Sequence, residues 1–150
     1  MGRMYSVVMD AQSISAAADL MRLSAAATDV LRLHSVTVTQ DASEVSEQLP
    51  FQIQRSSTDG TGTSTTPALL GGASDAAFNG TCVTDLTADT TISGSPLIRE
   101  STNVLNGWYY RPTPEEMIIV PPSGRLVVRL DAAPAAALTF TLTAIFEEIG

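Results

Sequence analysis

A chain of 150 residues, 44% of them hydrophobic, is one domain's worth of sequence and can remove about 68–70% of its extended-chain surface from water. Its formal charge of −8, from 16 acidic against 8 basic residues and with no lysine at all, argues against a nucleic-acid partner. One cysteine, Cys82, excludes an intrachain disulfide framework and a thiolate metal cluster. No apolar run approaches the roughly 20 residues of a membrane span. The opening MGRMYSVV has the shape of neither a signal peptide nor a myristoylation signal, so a soluble protein made in a reducing compartment is expected.

In chain order, Tyr5 to Asp10 reads as a short strand with Tyr5, Val7 and Met9 on one side, because strand side chains repeat every two residues. Ser13 to Ala17 reads as a turn of small residues. AADLMRLSAAA has helical propensity but is short and uncapped, which favours a strand around Asp19 to Leu23. Val30 to Gln40, VLRLHSVTVTQ, alternates strictly yet changes phase midway: Leu31 and Leu33 point one way, Val36 and Val38 the other. Either a bulge near His34 and Ser35 re-aims the strand, or both of its faces are covered. Asp41 to Glu47 is an acidic link, and Phe51 and Ile53 then alternate with Gln52 and Gln54 as a half-buried strand.

Ser56 to Ala77 is dominated by glycine, serine and threonine, with too few large apolar residues to anchor regular structure. A mobile loop or a recognition surface is predicted there, its middle pinned by Leu69 and Leu70. Thr81 to Thr87 and Pro96 to Val104 read as strands joined across a Ser93-Gly94-Ser95 turn. Asn106-Gly107 is a hairpin-turn dipeptide that delivers the chain into Trp108-Tyr109-Tyr110-Arg111. Thr113-Pro114-Glu115-Glu116 has a helix-start signature, but MIIVPP beyond it leaves room for only one helical turn and a short strand. Arg125 to Leu130 places Leu126, Val128 and Leu130 inward, with Arg125 and Arg129 outward or toward a neighbour. After a proline-broken turn, Leu138 to Phe146 keeps Leu138, Phe140, Leu142, Ala144 and Phe146 on one face and Thr139, Thr141 and Thr143 on the other.

This pattern predicts a single all-β domain over 1–150, an antiparallel β-sandwich, jelly-roll-like, with about eight to ten strands. An immunoglobulin-like sandwich has a similar count, but its paired cysteines are missing.

Catalytic chemistry finds little support. His34 is the only histidine and sits mid-strand, where a structural role is expected; an acid beside it from Asp10, Asp19, Asp29 or Asp41 stays open. Cys82 beside Val83 reads as a small buried hydrophobe. Gly60-Thr61-Gly62 has neither lysine nor helix to cradle a phosphate. Asp85 and Asp89 lack calcium-loop spacing, and the adjacent pairs Glu115-Glu116 and Glu147-Glu148 point their members in different directions. Asn79-Gly80-Thr81 fits a glycosylation sequon without a secretory context. No catalytic residue, metal ligand or cofactor is therefore expected. The uncommon residues gather at Trp108, Tyr109, Tyr110 and Arg111, which with Arg125 and Arg129 are the interface candidates. The other reading of the aromatic trio is a core corner, with Trp108 and Tyr110 inward and Tyr109 on the surface.

With WYYRPTPEE, the opening MYSVVMDAQ and the ending RLVVRLDAAPA…LTAIFEEIG on the page, the chain resembles the small jelly-roll proteins of tailed-bacteriophage virions, most of all the capsid decoration (cement) proteins. The resemblance spans nearly the whole length and lies in overall texture. It implies an antiparallel sandwich, a homotrimer, docking onto the major capsid protein lattice at the head's outer surface after synthesis in the host cytoplasm, and no catalytic residues. No nucleic acid or membrane is expected as a partner. From another class, a carbohydrate- or receptor-binding module of a tail or fibre would stack Trp108, Tyr109 and Tyr110 on sugar rings, with Asn103 or Asn106 supplying hydrogen bonds. A small cupin-like enzyme fits less well, having one histidine where such metal sites use several.

Overall fold

The computed structural model describes residues 2–41, 44–72 and 76–150. Among them the chain forms twelve strands and one 3-10 turn. The strands are β1 (Arg3–Ile14), β2 (Ala18–Ser24), β3 (Val30–Asp41), β4 (Gln48–Ser56), β5 (Thr61–Ser64), β6 (Ala68–Leu69), β7 (Thr81–Ala88), β8 (Ile92–Asn103), β9 (Trp108–Tyr110), β10 (Ile118–Val120), β11 (Arg125–Leu130) and β12 (Leu138–Ile149). The first sheet runs β10-β3-β12-β1-β6, with β9 also on β3; the second runs β5-β7-β2-β11-β4-β8. Every pairing is antiparallel.

The pairing is nested. β1 lies on β12, β2 on β11, β3 on β9 and β10, and β4 on β8. An antiparallel ribbon rolled on itself in this order is a jelly roll, as the strand pattern predicts. The segment between β4 and β8 is an insertion whose three strands extend the sheets: β7 on β2, β5 on β7, and β6 on β1.

The core fills the space between the sheets. β12 alternates buried and half-buried residues along its whole length, and Leu142, Ala144 and Phe146 are completely buried. Phe51 sits at the centre, its ring stacked on Trp108 at 5.4 Å and edge-on to Phe140 at 5.9 Å. A second group, Tyr5, Phe78 and Phe146, has ring centres 5.1 to 5.7 Å apart. Each such pair adds about 0.5–1.5 kcal/mol beyond the area it buries.

The phase change in β3 is a bulge. Ser35 faces Ile145 and Leu33 faces Phe146, so His34 is the extra residue. Leu31, Leu33, Val36 and Val38 consequently all point into the core. The sheet covered on both sides is the second one. Val127 pairs with Gln54 and Arg22 on that sheet's outer face, yet all three are buried. Asp59 reaches over to Arg22, and the Gly94 carbonyl accepts from Gln54 Nε2 at 2.6 Å, tying two passing segments across the row.

Four expectations from the sequence are corrected. β1 continues through Ser13 to Ile14, past a bulge where Ala11 has φ 47°, because Ile14 is still needed opposite Leu138 in the core. Ser56–Ala77 is not structureless: its strands β5 and β6 need few apolar side chains because backbone ladders on β7 and β1 hold them, with Leu69 packed on the core. Residues 73–75 of that stretch lie outside the described residues. Ser93-Gly94-Ser95 joins no hairpin. It lies inside β8, where Ser93 pairs with Arg55 and Ile98 with Ile53, so residues 94–97 arch out while β7 lies elsewhere in the sheet. Asn106-Gly107 also makes no hairpin. It carries the chain from β8 in the second sheet to β9 in the first, with only Gly107 at positive φ, +75°.

Candidate functional site

The four residues of β9 and its exit are divided by strand periodicity. Trp108 and Tyr110 turn inward and are 2% and 7% exposed, whereas Tyr109 is 50% exposed. The core-corner arrangement is the one observed. Trp108 stacks on Phe51 with ring planes 9° apart, and its Nε1 donates to Glu100 Oε2 on β8 at 2.9 Å. Tyr110 donates its hydroxyl to the Glu116 carbonyl at 3.1 Å, and burial pushes its phenol above the usual range. Outside, the Arg111 guanidinium lies 5.8 Å from the centre of the Tyr109 ring, a cation–π contact.

Between β8 and β9 the sandwich opens into a cleft of about 410 Å³. It is lined by Ile98 and Glu100 of β8, by Tyr109 and Tyr110 of β9, and by Arg111, Pro112 and Glu116 from the segment that follows. The 3-10 turn Pro114–Glu116 sets the position of Glu116, whose Oε2 accepts from Thr113 Oγ1 at 3.1 Å. Glu100 escaped the sequence reading, and Glu116 entered it only through the helix start at Thr113 and as one of an adjacent acidic pair. Nothing local marks Glu100, because it meets Trp108 only after the chain has crossed from one sheet to the other.

The chain matches no protein family model, no curated protein and no solved structure.

Arg125 and Arg129 do not join this cleft. Arg125 forms a two-pronged pair with Asp59, Nε to Oδ1 at 2.6 Å and Nη2 to Oδ2 at 3.3 Å, and Arg22 shares the same carboxylate. The Arg125 hydrogen bonds, and then the charge of Arg22, hold the Asp59 carboxyl below its usual range. Arg129 bridges Asp19 at 3.2 Å, Asp89 at 3.7 Å and Asp131 at 3.9 Å, and Arg99 meets Asp131 at 2.9 Å. Asp19 is buried, which pushes its carboxyl up even though the Thr90 N–H and hydroxyl donate to it at 2.6 and 2.7 Å. Both arginines act as internal struts of the second sheet.

The remaining chemistry-bearing residues are dispersed. Among the described residues, no group of three or more His, Cys, Asp or Glu is placed to hold a metal ion. His34, on its bulge, contacts Glu147 at 3.4 Å, and Arg32 contacts the same oxygen at 3.3 Å. Burial pushes the Cys82 thiol up to about 12. Glu147 and Glu148 face opposite ways, and Glu148 is buried, accepting from Arg3 at 2.8 Å and from the Asn79 N–H at 3.0 Å. Glu148 was within reach of the sequence, since counting on from Phe146 in steps of two arrives at it. What the cleft itself presents is a set of recognition groups: an aromatic ring, carboxylates and a guanidinium around one hollow.

Proposed function

We propose that the protein is a non-enzymatic virion structural component, a capsid decoration protein that docks as a homo-oligomer on the outer surface of a phage head. The observation that carries this reading is the difference between the two outer faces. The middle of the second sheet's outer face, around Val127, Gln54 and Arg22, is covered by its own segments, whereas among the described residues Val8 and Tyr109 stand exposed on the first. Across β1, β12, β3 and β9 its middle row is Val8, Thr143, Thr37 and Tyr109, with Val8 and Tyr109 about half exposed. Thr39 and Thr141 pair in the next row on one side, and Ser6, Ile145 and Ser35 align on the other. The ionic groups beyond, Arg32 and Glu147 with His34, satisfy one another.

An exposed sheet face that sets Val8 and Tyr109 among hydroxyl groups, with its neighbouring charges paired, suits docking in a chain whose net charge is −8. Linked binding through a trimer would multiply a modest affinity per copy. Light scattering of the purified chain, followed by co-sedimentation with empty phage heads, tests the reading. An oligomer that co-sediments is expected, and Thr143→Glu, in the middle of the open face, should abolish co-sedimentation while Leu97→Glu on the β8 arch should not. A monomer at micromolar concentration that stays in the supernatant would overturn it.

A further inference from the structure

Every arginine but one has an oxygen partner within the molecule. Arg3 holds Glu148, Arg22 and Arg125 hold Asp59, Arg32 holds Glu147, Arg55 donates to the Ile119 carbonyl, Arg99 holds Asp131 and Arg129 holds Asp19. Among the described residues Arg111 is the exception: its guanidinium rests over the Tyr109 ring, and no oxygen acceptor takes its N–H groups. Arg111 is exposed, so its donors are hydrated and open to a ligand that replaces that water at the rim of the hollow.

The hollow narrows what that partner can be. Its volume of about 410 Å³ falls within the range of small-ligand sites, about 300–1,000 Å³. Arg111, a donor, lines it together with two acidic residues, Glu100 and Glu116, the latter with its Oε2 already accepting from Thr113. Glu100 gives one oxygen, Oε2, to Trp108, and among the described residues its Oε1 takes no hydrogen bond. An anion would meet two carboxylates, and a cation would meet Arg111. A purely apolar molecule would strip water from all three charged groups and return nothing to them. A hydroxyl group both donates and accepts, so neighbouring hydroxyls on one ring can donate to the carboxylates while accepting from Arg111. Ile98, Pro112 and Tyr109, which also line the cleft, supply apolar surface for the C–H face of that ring.

We propose that the cleft between β8 and β9 binds a short neutral glycan, its hydroxyls held by Arg111, Glu100 and Glu116 and its ring face by Tyr109. This set differs from the stacking platform expected from the sequence, because Trp108 and Tyr110 are spent in the core. It shares Tyr109 with the end of the open face's middle row, but Glu100, Arg111 and Glu116 lie outside that row, so a chain that fails to assemble can still bind sugar there.

The test is a titration of the full-length, nitrogen-15-labelled chain with maltotriose, cellotriose, mannotriose and chitotriose, each at millimolar concentration, followed by amide shifts. At least one trisaccharide is expected to shift residues 98–100 and 109–116 in a saturable manner. Tyr109→Ala and Arg111→Ala should each weaken that binding about tenfold, the scale of losing one hydrogen bond to a charged group or one aromatic contact. Both residues are on the surface, so unchanged circular dichroism and urea midpoints separate lost binding from lost folding. Absence of saturable shifts at the cleft with all four sugars would overturn the proposal. So would unchanged binding by the Tyr109→Ala/Arg111→Ala double variant, or cleft shifts that follow protein concentration alone, which would mark the cleft as a contact between copies.

Discussion

Replacing Trp108 by alanine separates a core role from a surface role. The side chain is 2% exposed, stacks on Phe51 at 5.4 Å and bonds Glu100 at 2.9 Å, so truncation removes an aromatic pair and leaves a cavity beside the central ring. Such truncations cost about 3–5 kcal/mol, a large share of the roughly 5–15 kcal/mol that holds a domain together. With a urea slope of about 2 kcal/mol per molar, the unfolding midpoint should fall by about 2 M. Trp108→Phe keeps an aromatic ring beside Phe51 but loses the second ring of the indole with its N–H; the void is smaller and water can reach the exposed Glu100, so a cost of about 1–2 kcal/mol is expected. Tyr109→Ala, one residue along and half exposed, should stay within about 0.5 kcal/mol of wild type. Far-ultraviolet circular dichroism in urea is the assay, because the substitution removes the only tryptophan and with it the fluorescence signal. Midpoints for Trp108→Ala and Tyr109→Ala that coincide would refute the placement of Trp108 in the core.

Asp59→Ala should cost about 1 kcal/mol at neutral pH, because it releases the largely buried Arg22 along with Arg125 but the Asp59 carboxylate is itself more than half exposed and screened by water, and it should make residues 57–60 newly sensitive to proteinase K. Because the folded-state pKa of Asp59 is depressed, its contribution is present above the ordinary value of 3.8 and is lost as pH falls through the lowered one; wild type and variant should converge in acid. Asp19 has the opposite sign. Its raised pKa favours the fold below the ordinary value of 3.8, and that favour is lost as pH rises through the raised one. On acidification, urea midpoints of wild type should therefore gain on those of Asp19→Asn. Cys82, buried and with its thiol pushed up to about 12, should resist a disulfide reagent in the native protein and react promptly in denaturant.

What the sequence determined by itself is local and periodic. The two-residue repeat from Leu138 to Phe146 assigns each side chain to the core or to the outer face, because a pleated strand has no other way to sort them. The slip between Leu33 and Val36 requires either a bulge or two covered faces for the same reason, and the register on β12 decides for the bulge at His34, while MIIVPP limits the helix start at Thr113 to a single turn. The sorting of Trp108, Tyr109 and Tyr110 follows the same rule once β9 is known to be a strand. Tertiary structure decided everything that depends on which strands meet. Gly94 and Gly107 have backbones that a hairpin turn would also require, but one sits in an arch and the other in a passage between sheets; positive φ is a property of one residue and does not say where the chain goes next. Ser57 to Gly60 is held down by a carboxylate whose partners, Arg22 and Arg125, lie 37 and 66 residues away. Glu116 is placed locally by the turn that Thr113 starts, but Glu100 became part of the cleft only when the jelly roll brought β8 beside β9. No local pattern encodes such meetings, since they arise from the nested pairing that closes the core.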